Sequence, residues 1–204
     1  MITDRNHLFQ LYRRALLRDP QLRQQTPTTP GMRPAAVLVP VVERANGLHI
    51  LFIERADHLK HHAGQVAFPG GALEQNDASL LSCALRESEE EIGLRPNQVD
   101  ILGPLPARVT SVSGFFIQPF LGLVQNSRHL RLDQNEVSAV FEAPLNFVLD
   151  PARHDLQTMH WQGQDRRFYQ IQYEQHRIWG ATAGMLVSLA HVLMPQKPAP
   201  RDLT

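Results

Sequence analysis

In the run "RESEEEIGL", Arg86 is followed by Glu87, Glu89, Glu90 and Glu91, and a glycine-rich "FPGG" turn from Phe68 to Gly71 lies upstream of it. On a helix, Glu87, Glu90 and Glu91 fall at i, i+3 and i+4, one above the other on a single face. Like charges at that spacing destabilise a helix, so something must compensate them. Neighbouring carboxylates push one another's pKa upward, whereas a divalent cation among their oxygens relieves the repulsion. Mg²⁺ or Mn²⁺ suits an all-oxygen set, and Mg²⁺ keeps positions open for water and substrate phosphate. Gly70 and Gly71 let the backbone approach closely, offering a carbonyl to such an ion or amides to a phosphate. Asp77 falls in the N-cap region of the helix, where a carboxylate is favourable, and could pair with Arg86 two turns on. A glutamate run by itself reads as a solvated helix face. Here the glycine turn, Asp77 and the Arg86-Glu87 pair accompany it at set offsets, which a solvated face does not require.

These residues need elements to position them. "DASLLSCALRESEEEIG" places Leu80, Leu81, Ala84, Leu85, Ser88 and Ile92 at three-to-four spacing, predicting a helix ended by Gly93 and Pro96. Its acidic face should look out toward the glycine loop. Upstream, "AAVLVPVV" (Ala35 to Val42) is apolar on both faces, as a central strand is, and Pro40 demands a bulge or an unpaired amide. Asn46-Gly47 is a hairpin turn signal, and "HILFIER" (His49 to Arg55) is the returning strand. Further strands are predicted at Val99 to Leu102, Phe116 to Val124 and Val137 to Phe141. A second hairpin, Arg167 to Tyr173 with His176 to Gly180, precedes a helix over Ala181 to Met194. The mixed order predicts the α/β class, with a mixed sheet covered on both faces. Residues 5 to 24 carry Leu8, Leu11, Leu16 and Leu17 on a moderately amphipathic helix. It could cover the domain or pack against a second subunit, as in a homodimer. Three prolines and a glycine in Gln25 to Pro34 then read as a linker. The expected organisation is an N-terminal helix and arm (1–32), one domain (33–194) and a flexible tail (195–204).

Composition narrows the function classes. Among 204 residues Lys+Arg and Asp+Glu each count 20, so no basic field points to nucleic acid and no polybasic segment to a membrane. The single cysteine, Cys83, leaves no intramolecular disulfide or cysteine-cluster zinc site, in keeping with the cytoplasm. On its small-residue stretch it reads as a core residue. Met1 to Leu17 lacks the apolar core and cleavage site of a signal peptide. The apolar stretch Trp179 to Met194 is shorter than the ~20 residues a membrane span needs. Trp161 and Trp179 read as packing residues rather than adenine stackers.

The segment Gly71 to Leu94 resembles the Nudix box, G-x5-E-x7-R-E-U-x-E-E-x-G-U with U aliphatic. Arg86 to Leu94 matches its second half, with Ser88 where an aliphatic residue is usual. Gly71 to Asp77 keeps the first spacing with aspartate for glutamate, and eight residues rather than seven separate Asp77 from Arg86. The unbroken helix spacing puts the extra residue in the preceding loop. The resemblance implies a Nudix-type α/β/α sandwich that cleaves a nucleoside diphosphate linked to another moiety. Glu90 and Glu91 would be the principal metal ligands, Glu87 a further ligand or base, Arg86 the helix-orienting residue, and the Gly71 carbonyl a ligand.

Leu51 to Gly71, "LFIERADHLKHHAGQVAFPGG", is similar to the additional signature of the coenzyme A pyrophosphatase branch. Arg55, Lys60, Gly64 and Phe68 to Gly71 keep that pattern, while Phe52, Ile53 and Ala56 depart from it. Independently, Arg55, His58, Lys60, His61 and His62 concentrate donors just before the glycine loop, as a polyphosphorylated ligand would require. A solvated hairpin end is the competing reading of the same residues. The branch implies hydrolysis of coenzyme A to 3′,5′-ADP and 4′-phosphopantetheine. The alternatives are ADP-ribose, a dinucleotide or an oxidised nucleoside triphosphate as substrate, or a binding module without turnover, which the retained carboxylates oppose. For a general base beyond the box, "LDQNEVS" offers Asp133 and Glu136, and Glu136, just before a strand, is preferred.

Overall fold

The computed structural model describes residues 1–23, 31–110, 114–125, 129–161 and 163–195. Most of the linker and all but the first residue of the tail lie outside these, as does the side chain of Trp161.

The hairpin at Asn46-Gly47 forms as predicted, between β1 (Arg33–Arg44) and β2 (Gly47–Arg55), with Arg44 opposite Gly47. On its other side β1 runs parallel to β7 (Phe115–Val124). Pro40 is accommodated by a change of neighbour rather than a bulge. Residues 35–37 of β1 pair with β4 (Gly70–Ala72), and residues 41–44 pair with β2. The Leu38 amide donates to the Pro69 carbonyl at 2.9 Å on that side. Amides alternate sides along a strand, so the N–H that Pro40 lacks would have pointed into the gap between the two partners.

β3 (Val66–Ala67) and β8 (Val137–Pro144) extend the sheet from β2, and β5 (Val99–Pro104) and β6 (Arg108–Thr110) line the far edge of β7. The sheet is mixed, as predicted. Ala36, Leu38 and Val42 of β1 bury toward α2 (Leu80–Ile92), and Val39 and Val41 bury toward α1 (Arg5–Arg18) and α4 (Gly180–Leu193). That alternation makes the two-sided sandwich. A second sheet of β9 (Asp155–Trp161), β10 (Gln164–Tyr173) and β11 (His176–Trp179) follows the short α3 (Leu145–Val148).

Two local readings are corrected. The first helix was expected over residues 5 to 24, but it stops at Arg18, because Pro20 cannot continue the ladder and opens a 3₁₀ turn, Pro20–Arg23. Its buried stripe is Leu8, Tyr12 and Ala15, while Leu17 is exposed. These residues share one core cluster with Val39 and Val41 of β1 and Leu186 and Leu189 of α4. The N-cap of α2 is Ser79 rather than Asp77: its hydroxyl accepts from the Ser82 amide, and Ser82 Oγ accepts from the Ser79 amide. Asp77 is thereby left for another partner. Gly93, at φ +69°, closes the helix as predicted. Among the described residues no helix is long and apolar enough to cross a membrane.

Candidate active site

α2 presents Glu87 and Glu91 to the glycine strand, not to open solvent. Glu91 is only 1% exposed and its Oε2 accepts from the Gly70 amide at 2.9 Å. Glu87 lies against Gly71 so closely that a Cβ there would stand 2.3 Å from its Oε1. A Cβ on Gly70, where φ is +151°, would come within 2.3 Å of the Ala36 carbonyl. Gly70 is therefore required by contact with the sheet backbone, whereas a side chain at 71 would have to displace the Glu87 carboxylate. Glu90 is turned the other way: its side chain is 59% exposed and meets Arg86 Nη1 at 2.8 Å.

Arg86 is the hub of the acidic patch. It holds Asp77 by two hydrogen bonds of 3.0 Å, the pairing expected from the spacing, and also reaches Glu87 at 3.0 Å. The hydrogen bond to Asp77 raises the guanidinium's pKa, and the same contact holds the Asp77 carboxyl below the usual range. Burial pushes Glu87 upward and pushes Glu91 up to about 8, with the Glu87 charge adding to the effect on Glu91 and the Gly70 amide opposing it. The repulsion that the sequence raises is thus met partly by Arg86, through its contacts with Glu87 and Glu90.

Other expected residues separate into two groups. Arg55, at the end of β2, comes within 3.8 Å of Glu91, and its Nε is buried without a hydrogen-bond partner among the described residues. Glu136 is exposed, yet its charge acts on both Glu87 and Glu91. Its loop is docked on the helix: Arg131 and Asp133 amides donate to the Ile92 and Glu91 carbonyls, and the Ala56 amide donates to the Glu136 carbonyl. Asp133 Oδ1 is occupied by Asn135. Lys60 and His61 stand exposed on the loop between β2 and β3. Gly71 faces Ala36 in the ladder, with its carbonyl 3.6 Å from Cys83 Sγ. Cys83 is fully buried, and burial pushes its thiol up to about 12, as suits a core residue. Trp179 packs edge-on against Phe168, with ring centroids 5.6 Å apart.

Sequence reasoning missed Glu54 and His176. They meet at 2.7 Å across 122 residues, with His176 stacked on Phe141, on the sheet face opposite Arg55. The one signal was an acidic residue next to last in an apolar strand.

Among the described residues, no three His, Cys, Asp or Glu side chains converge as ligands of one ion. The donors nevertheless fit a hard divalent cation. Glu87 and Glu91 lie together under the glycine strand, Glu90 stands exposed beside Arg86, and burial disfavours the charged form of the Glu91 carboxylate, a cost that a cation beside it would offset.

A family profile described as NUDIX domain matches residues 32–166. The chain belongs to the Nudix family, whose members cleave nucleoside diphosphates linked to another moiety. A protein of Salmonella paratyphi B named uncharacterized Nudix hydrolase NudL is 44% identical over 167 residues, covering 82% of this chain and 86% of its own length. Its counterpart in Salmonella typhimurium matches equally. Among solved structures, a Caenorhabditis elegans Ap4A hydrolase in a binary complex is similar with a TM-score of 0.47 and 18% identity, over 55% of this chain and 80% of its own.

Proposed function

We propose that this protein hydrolyses the diphosphate linkage of coenzyme A, with Mg²⁺ or Mn²⁺, releasing 3′,5′-ADP and 4′-phosphopantetheine. The observation that carries this reading is the meeting of Arg55, from the segment resembling the coenzyme A pyrophosphatase signature, with Glu91 of the Nudix helix at 3.8 Å. Glu87, Glu90 and Glu91 hold the cation, assisted by the Gly71 carbonyl. The chemistry that such an ion would supply there is a lowered pKa for a water and neutralisation of the charge that builds up during cleavage. Arg86 fixes the helix by its two bonds to Asp77 and holds Glu87 and Glu90 in reach. Glu136 takes the proton of the attacking water as the new P–O bond forms, and the electron pair of the broken bond leaves with the departing phosphate. Arg55, Lys60 and His61 receive the substrate's phosphates beside the glycine strand of Gly70 and Gly71.

Purified protein incubated with coenzyme A, and separately with ADP-ribose, in Mn²⁺, Mg²⁺ or chelator, tests this by chromatography of the products. Metal-dependent 3′,5′-ADP with little cleavage of ADP-ribose is expected. Coenzyme A left intact while ADP-ribose is cut would overturn the substrate and keep the family chemistry.

A further inference from the structure

Arg108 is the first residue of β6, and its guanidinium lies flat against α4. A Cβ on Gly184 would stand 2.5 Å from its Cζ, 2.7 Å from Nη2 and 2.8 Å from Nε, so only glycine at 184 leaves room for it there. Nη1 donates to the Gly184 carbonyl at 3.3 Å. Among the described residues no carboxylate forms an ion pair with it; the ionisable group that acts on it is the Tyr169 phenol. Burial accordingly lowers its pKa. A half-buried guanidinium bears a desolvation cost that an anion would offset, and its planar fork matches phosphate.

The position is set by the sheet. Arg108 pairs with Ile117, Ile117 with Ala35, and Ala35 with Ala72, so these four side chains form one row on one face. The row begins at β4, whose Gly70 and Gly71 touch Glu91 and Glu87, and ends at Arg108 three strand spacings away, about 14 Å. Ala35, between them, is buried, and among the described residues β4 has no strand partner but β1, so the free edge of β4 is the way round from one sheet face to the other.

We propose that Arg108 binds a phosphate monoester carried by the substrate at a distance from the diphosphate that is cut. This rests on the coenzyme A reading above and assigns Arg108 to the 3′-phosphate. The diphosphate lies against α2, the nucleoside rounds the free edge of β4, and the 3′-phosphate ends on the guanidinium. Arg108 is thus a specificity residue and takes no part in bond cleavage.

The test compares steady-state kcat and KM on coenzyme A and on 3′-dephospho-coenzyme A, with Mn²⁺, for the wild type, R108Q and G184A. G184A improves helix propensity while its new methyl displaces the guanidinium, so it covers the case in which R108Q fails to fold. The wild type should favour coenzyme A by about 10- to 100-fold in kcat/KM, mostly through KM, the scale of one charge-assisted phosphate contact. Both variants should lose that preference and treat both substrates as the wild type treats the dephospho form. A wild type that cuts both substrates equally well, or variants slowed equally on both, would overturn the assignment of Arg108 alone. A wild type inert toward both while active on ADP-ribose would overturn the coenzyme A reading beneath it.

Discussion

Glu90 and Glu91 are adjacent in sequence and stand in different environments, one exposed on Arg86 and one sealed beneath Gly70. Substitution at each therefore reads differently. Glu90→Gln removes a charge from an exposed side chain, so stability should change by no more than about 0.5 kcal/mol. Turnover should fall about 10²-fold, roughly 3 kcal/mol in the barrier, if Glu90 is a ligand. Thermal melting alongside product assays checks both, and an unchanged rate would remove Glu90 from the metal set. Asp77→Ala acts oppositely. The Asp77 side chain is only 4% exposed and holds Arg86 by two bonds, so its removal should cost about 3 kcal/mol in urea unfolding. A cost below about 1 kcal/mol would show that Glu87 and Glu90 suffice to hold the guanidinium. The Asp77–Arg86 pair was legible from spacing alone, because two turns of helix fix where an arginine reaches. The split between Glu90 and Glu91 was not. Neighbours on a helix differ by about 100°, and which of them meets the glycine strand depends on how α2 sits against β4.

At the scale of elements, the strands with long apolar runs and the two longer core helices could be read from the chain, since their periodicity is carried by many residues. β3, β4 and β6 could not, because two or three residues hold no period. Yet β4 sets the site. Gly71→Ala should leave the fold intact and lower turnover at least tenfold, because the new methyl must push Glu87 aside; wild-type rates in a folded variant would refute the contact. The turn before β9 carries a pH dependence. His154 Nε2–H donates to the Val148 carbonyl at 2.9 Å, and burial lowers the pKa of the ring. The unfolded chain takes up a proton near pH 6.5 where the folded chain resists it, so stability falls as pH drops below about 6.5. His154→Phe should flatten that slope in urea melts at pH 7.5 and 5.5. An equal slope in the variant would assign the effect elsewhere.

For the whole molecule, the question is whether the first helix belongs to the cooperative unit. The sequence shows an amphipathic helix followed by a proline-rich break, which fits an appended arm as well as an integral layer. We expect the integral layer: Tyr12 is 1% exposed and its hydroxyl donates to the Pro104 carbonyl of β5 at 2.7 Å, while Arg18 reaches the Val192 carbonyl of α4. Tyr12→Ala should cost about 3–5 kcal/mol and shift one common unfolding transition by both circular dichroism and tryptophan fluorescence. Two separate transitions would restore the arm. The parallel pairing of β1 with β7 reaches further still, to how the molecule is made. β1, the glycine strand and the acidic helix all leave the ribosome before Phe115, and contacts so distant in sequence close slowly. A nascent chain holding every carboxylate of the box therefore lacks the strand that completes their support, and the chemistry becomes available only late in synthesis.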